Sequence, residues 1–331
     1  MERDLDKKPI ARNNVLSRSV PTIDMRDRNA VSKIADACSE WGFFQVVNHG
    51  ISAELIAAMW QQTREFFALP DDRKESVLRT RHNPWGYYNN ELTKNQRDKK
   101  EVFDYTVDGM DPVYSAENRW PDLGNTFGTT LTRYRDECTA LSFTILERMS
   151  EGLGLSPAHL APSFEPEHTG FVRLNYYPVA DPLAERADIE HKQTADMGVH
   201  HHTDAGALTV LLQDSIGGLQ VYNNDAWYDV PPVDGAFVVN TGDMMQVWSN
   251  DRYKAAIHRV RAMEQYDRYS IPFFFNPAAE AMIEPLPSVV SKRVPARYRP
   301  IHWANFRYQR TDGDFADYGD EVQISQYRRP G

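Results

Sequence analysis

The residues best suited to chemistry are two histidines and one aspartate with the spacing of a metal site. His202 and Asp204 are separated by one residue, and His258 follows far downstream. Two imidazoles and one carboxylate leave open positions on an iron(II) ion, where substrates and oxygen can bind. A structural site is normally closed by a fourth protein ligand, and the sequence has no cysteine near either position. The pattern therefore predicts an open metal site with His202, Asp204 and His258 as ligands.

The spacing of His202 and Asp204 has a geometric reason if this segment is extended, because side chains two residues apart project from one face of a strand. Three consecutive histidines leave an ambiguity, since His200 shares the parity of His202 whereas His201 does not. His202 is favoured because only it lies two residues from an acid. His258 lies in a second strand-like segment, which a folded-back sheet can bring alongside the first.

A second pair of candidate residues follows His258. Arg268 and Ser270 share one face if their segment is a strand, and Tyr269 takes the other face. The guanidinium fork matches a carboxylate in bidentate fashion, and the serine adds a hydroxyl donor. Alone, the His/Asp pair is equally consistent with a solvated pair beside a turn, and an isolated R-x-S pattern favours a solvent-facing arginine beside an incidental serine. Together they predict an iron site beside a clamp for an anionic small molecule.

With these residues in place, the sequence resembles a known family, the plant-type iron(II) and 2-oxoglutarate dependent dioxygenases, which include isopenicillin N synthase and ethylene-forming oxidases. The segments that carry the resemblance occur in the family's order through most of the chain, and the ordered set is far more specific than any one of them. They are residues 20–24 (VPTID), 41–50 (WGFFQVVNHG), 173–178 (RLNYYP), 202–214 (HTDAGALTVLLQD), 217–221 (GGLQV), 240–243 (NTGD), 258–260 (HRV) and 268–270 (RYS).

The resemblance implies an enzyme that uses Fe(II), 2-oxoglutarate as cosubstrate and O2, and that releases succinate and CO2 while oxidising a small metabolite. Hydroxylation, desaturation and oxidative cyclisation share this apparatus, so the sequence does not separate them. The implied residues are the iron ligands His202, Asp204 and His258 and the 2-oxoglutarate-binding residues Arg268, Ser270, Asn175 and Tyr177.

Three alternatives stay open at this point. Tyr177 or its neighbour Tyr176 could instead be aromatic core packing. An iron oxidase of the same fold that does not use 2-oxoglutarate could hold the carboxylate of its own substrate with Arg268 and Ser270, although Asn175 and Tyr177 argue against it. A non-catalytic metal-binding or ligand-sensing jelly roll would consume no oxygen.

Composition agrees with a cytoplasmic enzyme of small molecules. The 331 residues carry 37 basic and 47 acidic side chains and a formal charge of −10, which opposes binding to nucleic acid or anionic membranes. The N-terminal residues are too polar for a secretory signal, and no apolar run is long enough to span a membrane. Cys38 and Cys138 are expected to be reduced and buried. The oligomeric state is not determined, with a monomer favoured.

The pattern of elements predicts a mainly β fold with flanking α-helices and a double-stranded β-helix (jelly-roll) core. Helical periodicity predicts helices over 30–40, 53–68 and 126–152, with Ser52 as an N-cap. Short β-rich runs follow, and they are predicted at 43–47, 171–177, 207–213, 219–222, 227–230, 237–240 and 244–248. Gly242 and Asp243 are interpreted as a turn with an Asx-type hydrogen bond.

We expect residues 1–331 to form a single catalytic unit. Its expected parts are a helix-rich N-terminal region (20–152), a jelly-roll core with the iron and 2-oxoglutarate site (169–280) and a C-terminal segment (281–331).

Two segments are candidates for substrate selection. The charged insert 181–197 could form a lid or a solvated loop. A basic cluster could receive an anionic substrate, such as an amino-acid-derived acid; its members are Arg79, Arg81, His82 and Lys100.

Overall fold

The computed structural model describes residues 5, 8–11, 19–93, 96–107, 109–183, 197–315 and 322–330. Most of the 181–197 insert therefore lies outside the described residues. No helix within the described ranges is long and apolar enough to cross a membrane.

Six α-helices of the described residues flank the sheets: α1 (Ala30–Glu40), α2 (Ala53–Phe67), α3 (Asp71–Glu75), α4 (Asn125–Gly152), α5 (Asp243–Trp248) and α6 (Trp303–Phe315). The predicted helices correspond to α1, α2 and α4. The hydroxyl oxygen of Ser52 accepts a hydrogen bond from the Leu55 amide at 3.3 Å, as expected of an N-cap. Short 3-10 helices cover Pro157–Phe164, Pro287–Val289 and Ile324–Tyr327.

Sixteen strands are present in the part of the chain that the structure describes: β1 (Thr22–Asp24), β2 (Phe43–Val47), β3 (Gly86–Tyr88), β4 (Leu92–Thr93), β5 (Gln96–Arg97), β6 (Glu101–Tyr105), β7 (Phe171–Tyr177), β8 (Met197–His202), β9 (Leu208–Gln213), β10 (Leu219–Asn223), β11 (Ala226–Asp229), β12 (Phe237–Thr241), β13 (His258–Arg261), β14 (Arg268–Phe275), β15 (Met282–Ile283) and β16 (Ile301–His302). An eight-stranded sheet has the order β1-β2-β12-β9-β14-β7-β6-β3 and a four-stranded sheet the order β11-β10-β13-β8.

The two larger sheets pack face to face and enclose the site. One apolar cluster between them joins Phe43 and Leu211 of the larger sheet to Leu219 and Val260 of the smaller. Alternate residues of the same strands, such as Leu212, belong to a second cluster that includes residues of α1, α2 and α4. The period of two thus sends one face of the larger sheet toward the smaller sheet and the other toward the helices. This is the predicted jelly-roll core with flanking helices.

One predicted strand is wrong. Residues 244–248 belong to α5, a short helix that begins after Gly242. Both Met244 and Met245 are buried, as are Val247 and Trp248, so the run is apolar without alternation. Periodicity alone does not separate a short buried helix from a buried strand.

Candidate active site

The structure brings His202, Asp204 and His258 together. His202 ends β8 and His258 begins β13, and the two are directly opposite each other in the antiparallel pair. Asp204 lies two residues beyond β8. Its Oδ1 atom is 3.6 Å from Nε2 of His202 and 3.7 Å from Nε2 of His258. Three ligand atoms within 4.8 Å of one another can surround a single ion.

Main-chain carbonyls fix the orientation of both imidazoles. Nδ1 of His202 lies 2.8 Å from the His200 carbonyl oxygen, and Nδ1 of His258 lies 3.0 Å from that of Ala256. A carbonyl oxygen only accepts, so the hydrogen is on Nδ1 in each ring. When each ring is neutral, the lone pair of its Nε2 atom is therefore directed toward Asp204, as a metal ligand requires.

Two side chains fix the carboxylate. The Thr209 hydroxyl and the Asn240 amide both donate to Oδ2 of Asp204, at 2.5 and 2.7 Å. Oδ1 is the oxygen left facing the imidazoles. The result is a carboxylate oriented to offer one oxygen to an ion.

Electrostatics keep two of the three groups, Asp204 and His258, in states suited to a cation. Burial opposes ionisation of Asp204, but His258 and His202 outweigh it and lower the pKa of Asp204 below its usual range. Burial and the neighbouring His202 lower the pKa of His258 to about 4. Burial acts in the same direction on His202, but the hydrogen bond and charge of Asp204 prevail and raise the pKa of His202. The site thus contains one firmly ionised acid and one firmly neutral imidazole.

The positions of the consecutive histidines favour His202 as the ligand. Nδ1 of His200 is 2.9 Å from Oδ1 of Asp98, a buried carboxylate that directly follows β5. The cluster of ligand-type atoms contains His202 and neither His200 nor His201 among the described residues.

The predicted carboxylate clamp, Arg268 and Ser270, lines a cavity that the three predicted iron ligands also line. Arg268 and Ser270 on β14 are directly opposite Tyr177 and Asn175 on β7. Both Nη1 of Arg268 and Nδ2 of Asn175 donate to the Ser270 hydroxyl oxygen, each at 3.3 Å. The guanidinium carbon of Arg268 lies 4.8 Å from the centre of the Tyr177 ring. The four predicted cosubstrate residues therefore form one patch.

Tyr176 faces away from this patch. Its ring stacks on Tyr269 with centres 4.9 Å apart, and its hydroxyl donates to Asp267 at 2.8 Å. Tyr177, by contrast, is buried and lines the cavity. Alternation along β7 thus makes Tyr177 the residue of the site.

The donor set fits 2-oxoglutarate. Arg268 is only 1% exposed, and its Nε and Nη2 atoms have no hydrogen-bond partner among the described residues. A buried cation is costly without a counter-charge, so this end of the cavity suits a carboxylate. The cavity, of about 70 Å³, extends from Arg268 to the two imidazoles and Asp204, which suits a ligand with a second, metal-binding end.

Comparisons with known proteins agree with this arrangement. A model of the 2OG-Fe(II) oxygenase superfamily matches residues 168–277, and one of the non-haem dioxygenase in morphine synthesis N-terminal family matches residues 20–123. Jasmonate-induced oxygenase 2 of Arabidopsis thaliana is 34% identical over 320 residues, which are 93% of this chain and 83% of that protein. The chain belongs to the 2OG-Fe(II) oxygenase superfamily.

Further relatives of this oxygenase support the assignment. Flavanone 3-dioxygenase of Petroselinum crispum is 35% identical, over 86% of this chain and 77% of its own. The crystal structure of JOX2 in complex with 2OG, Fe and JA matches with a TM-score of 0.80 and 30% identity, covering 98% of this chain and 94% of that one. The dioxygenase for auxin oxidation in rice matches at 0.70 and 25%, covering 94% and 100%. The protein is a 2-oxoglutarate-dependent oxygenase of a small metabolite that uses Fe(II) and O2, and these relatives fit it better than an oxidase without 2-oxoglutarate.

A second cavity of the oxygenase, of about 150 Å³, adjoins the first and shares His202 and Asp204 with it. Its other lining residues include four basic and three aromatic side chains. They include Lys100, Arg173, Arg307 and Arg310 and the rings of Phe171, Phe274 and Trp303. This cavity lies next to the triad and is not lined by Arg268, Ser270, Asn175 or Tyr177.

The four residues of the predicted basic cluster differ in burial and in their contacts. Arg79 is buried and contacts Asp104 at 2.9 Å and Glu91 at 3.3 Å. Lys100 does line the second cavity, but its ammonium is 2.7 Å from Glu91. Arg81 and His82 are exposed. Two of the four cations are therefore buried in ion pairs that both include Glu91.

Several site residues were missed by sequence reasoning. Thr209 and Asn240 lie in two of the segments that carry the family resemblance, without a role of their own. Arg173 has the parity of Asn175 and Tyr177 on β7, which was a usable signal that it faces the cavity. Nothing in the pattern of α6 indicated that two of its arginines reach the second cavity.

The strand-connecting turn predicted at Gly242 and Asp243 is wrong at Asp243, which belongs to a helix. It opens α5, is 1% exposed, and its Oδ2 atom lies 3.9 Å from Nη1 of Arg310. The local pattern indicated only the turn at Gly242, because the partner on α6 is distant along the chain.

Proposed function

We propose that this oxygenase oxidises a C–H bond of a compact organic acid that binds in the second cavity. In this proposal His202, Asp204 and His258 bind iron(II), and Arg268 and Ser270 hold the distal carboxylate of 2-oxoglutarate. Asn175 and Tyr177 orient the cosubstrate. The observation that carries the proposal is the lining of the second cavity, where four basic side chains and three aromatic rings adjoin the triad.

The size of the cavity favours a compact substrate. An engineered cavity of about 150 Å³ in another protein accepts benzene. The second cavity has a similar volume of about 150 Å³. A substrate whose apolar body is about this size would fill the space next to the triad.

The charge of the cavity favours an anion. Four of its lining residues are basic and two are acidic, and one of the acids, Asp204, is a proposed iron ligand. The other acid, Glu91, contacts Lys100 and Arg173, each at 2.7 Å, so these two cations are already compensated.

Arg307 is the cation of this cavity best suited to the substrate's carboxylate. Its Nη1 atom donates to the Thr169 carbonyl oxygen at 2.7 Å, which holds the guanidinium in place beside the cavity. The guanidinium carbon of Arg307 lies 5.4 Å from the centre of the Phe171 ring, which belongs to the apolar wall. A guanidinium fork offers two parallel donors to a carboxylate, so we assign the acid group to Arg307 and the apolar body to the rings.

Bound iron, with 2-oxoglutarate and oxygen, supplies the oxidising power. The side chains of the protein bind and orient. Thr209 and Asn240 hold one oxygen of Asp204, and the carbonyl groups of His200 and Ala256 hold the imidazoles. The rings of Phe171 and Phe274 keep the wall apolar, which limits access of water to the reacting carbon.

We also propose that residues 1–331 act as one catalytic unit in the cytoplasm. The N-terminal strands β1, β2, β3 and β6 belong to the same sheet as β7, β9, β12 and β14 of the core, which supports a single unit. Cys38 and Cys138 are both free and buried, which fits a reducing compartment.

The test is anaerobic enzyme with iron(II) and isotopically labelled 2-oxoglutarate, to which oxygen and a panel of small carboxylic acids and their neutral amides are added. We expect labelled succinate and an oxidised product with some acids and not with the matched amides. Arg307→Met should raise KM for the acid. Equal turnover of amides would overturn the substrate class, and succinate formation that His202→Ala leaves unchanged would overturn the ligand assignment.

A further inference from the structure

Arg310 connects the segment that carries two of the proposed iron ligands to the C-terminal part of the chain. It lies on α6 and is 6% exposed. Its Nη2 atom donates to the Thr203 carbonyl oxygen at 2.9 Å, and its Nη1 atom donates to that of Val322 at 2.7 Å. One rigid guanidinium therefore fixes two main-chain segments that are far apart in sequence.

The contact at Thr203 matters because this residue separates His202 from Asp204. Its peptide determines how the imidazole and the carboxylate are turned relative to each other. The Asp204 carbonyl oxygen accepts a hydrogen bond from the Asp243 amide at 2.8 Å. Residues 202–204, the ligand segment, are thus held by hydrogen bonds from α5 and from Arg310.

An ionic contact with Asp243 also stabilises the position of Arg310. Asp243 is buried at the start of α5, and Nη1 of Arg310 is 3.9 Å from its carboxylate. A buried carboxylate is stabilised by a nearby cation and destabilised when that cation is removed. The same guanidinium therefore serves both elements that hold the ligand segment.

The C-terminal segment 322–330 is itself anchored. Both terminal nitrogens of Arg328 donate to Asp251, each at 3.0 Å. The Arg299 amide donates to the Tyr327 carbonyl oxygen at 2.9 Å. The segment is a fixed support, so the Val322 carbonyl holds Arg310 in the position from which it reaches Thr203.

We propose that Arg310 is a positioning residue of the iron site, acting through the Thr203 peptide on the geometry of His202 and Asp204. The inference rests on the proposed ligand assignment. It predicts that the metal affinity depends on a side chain that does not touch the metal. Loss of such outer contacts typically costs about 10–100-fold in metal affinity.

Two other roles for Arg310 make different predictions. As a packing residue it would affect metal affinity no more than any buried arginine of α6. As a substrate anchor, a role that its place in the second cavity would also allow, it would affect KM for the acid and leave metal affinity unchanged. Arg307 is the matched control for both, because it is on the same helix, is also 6% exposed, and donates to the Thr169 carbonyl oxygen at 2.7 Å.

The experiment measures Mn(II) affinity of the substrate-free full chain without oxygen, by titration calorimetry, for Arg310→Met, Arg310→Lys, Arg307→Met and His202→Ala. Thermal unfolding of the metal-free proteins checks that each variant folds. We expect binding about 10-fold weaker in Arg310→Met, near the lower end for outer contacts of metal ligands. Arg310→Lys should lose less, and Arg307→Met should keep its affinity. If Arg310→Met does not fold, the comparison between Arg310→Lys and Arg307→Met decides.

Unchanged Mn(II) affinity in the Arg310 variants would overturn the inference, as would an equal loss in Arg307→Met. A change confined to KM for the acid would assign Arg310 to substrate binding instead. His202→Ala separates the two proposals: if it binds Mn(II) as tightly as the wild type, the ligand assignment itself fails.

Discussion

His258 lies directly across from His202 in the antiparallel pair of β13 and β8, with ring centres 4.3 Å apart. A shift of one residue in this register would turn one imidazole to the opposite face of the sheet. The pairing of two strands thus sets the distance between two ligands from separate parts of the chain. The geometry of the metal site is a consequence of strand register.

The choice among the consecutive histidines can be tested directly. His202→Gln should abolish succinate formation and weaken Mn(II) binding, because it removes one of three ligands. His201→Gln should keep Mn(II) binding, because its side chain lies outside the cluster of ligand atoms. Both variants are assayed for labelled succinate and by metal titration. Equal loss in the two variants would contradict the assignment.

Thr209→Val should weaken metal binding although it removes only a hydroxyl group. That hydroxyl donates to Oδ2 of Asp204 at 2.5 Å, and without it the carboxylate is held by Asn240 alone. We expect Mn(II) affinity to fall by about 10-fold, toward the lower end for outer contacts of metal ligands. Thr209→Ser keeps the donor and should stay near the wild type. Wild-type affinity in the valine variant would show that Asn240 suffices.

Arg268→Lys should raise KM for 2-oxoglutarate. Lysine retains the charge but loses the fork that matches a carboxylate. A hydrogen bond to a charged group contributes about 1.5–3 kcal/mol, so KM should rise by about 10- to 150-fold. The rate of succinate formation is measured against 2-oxoglutarate concentration. Tyr176→Phe, on the outer face of β7, is the control and should leave KM unchanged. An unchanged KM in Arg268→Lys would mean that another group binds the distal carboxylate.

Glu91→Gln should reveal a pH-dependent contribution to stability. Burial alone would raise the pKa of Glu91, but Arg173, Lys100 and Arg79 outweigh burial and lower the pKa well below its usual range. A carboxyl group with a lowered pKa in the folded state stabilises the protein above its unfolded pKa of about 4.3, and this stabilisation is lost as the pH falls below that value.

The Gln variant leaves buried cations without their partner, which should lower the free energy of unfolding by about 3–5 kcal/mol at pH 7. Urea unfolding measures the free energy of unfolding of the variant and of the wild type at pH 7, 5 and about 3.5, the last being below the unfolded pKa of glutamate. The difference between the two proteins should become smaller only at the lowest pH. The exposed Glu264→Gln is the control and should change little at any pH. A difference independent of pH would show that the charge of Glu91 is not what stabilises the fold.

Local signals in the sequence determined much of the fold and the polar residues of the site. Helical periodicity located α1, α2 and α4, and short β-rich runs located most strands of the core, because each signal depends on neighbours within a few residues. The parity of His202 with Asp204, and of Arg268 with Ser270, depends on the same short range. The run 244–248 was misassigned because, in a short segment that is buried on all sides, the pattern of apolar residues does not distinguish a helix from a strand.

The tertiary structure decided which of these residues meet and what surrounds them. The basic residues Arg79 and Lys100 appeared available in the sequence, yet in the fold they are paired with Glu91 and other buried acids. Arg310 reaches Thr203 only because α6 packs beside the ligand segment. The residue types and their local spacing are set by the sequence, whereas burial, register and contacts between distant segments determine which charges are compensated and which residues hold the ligands in place.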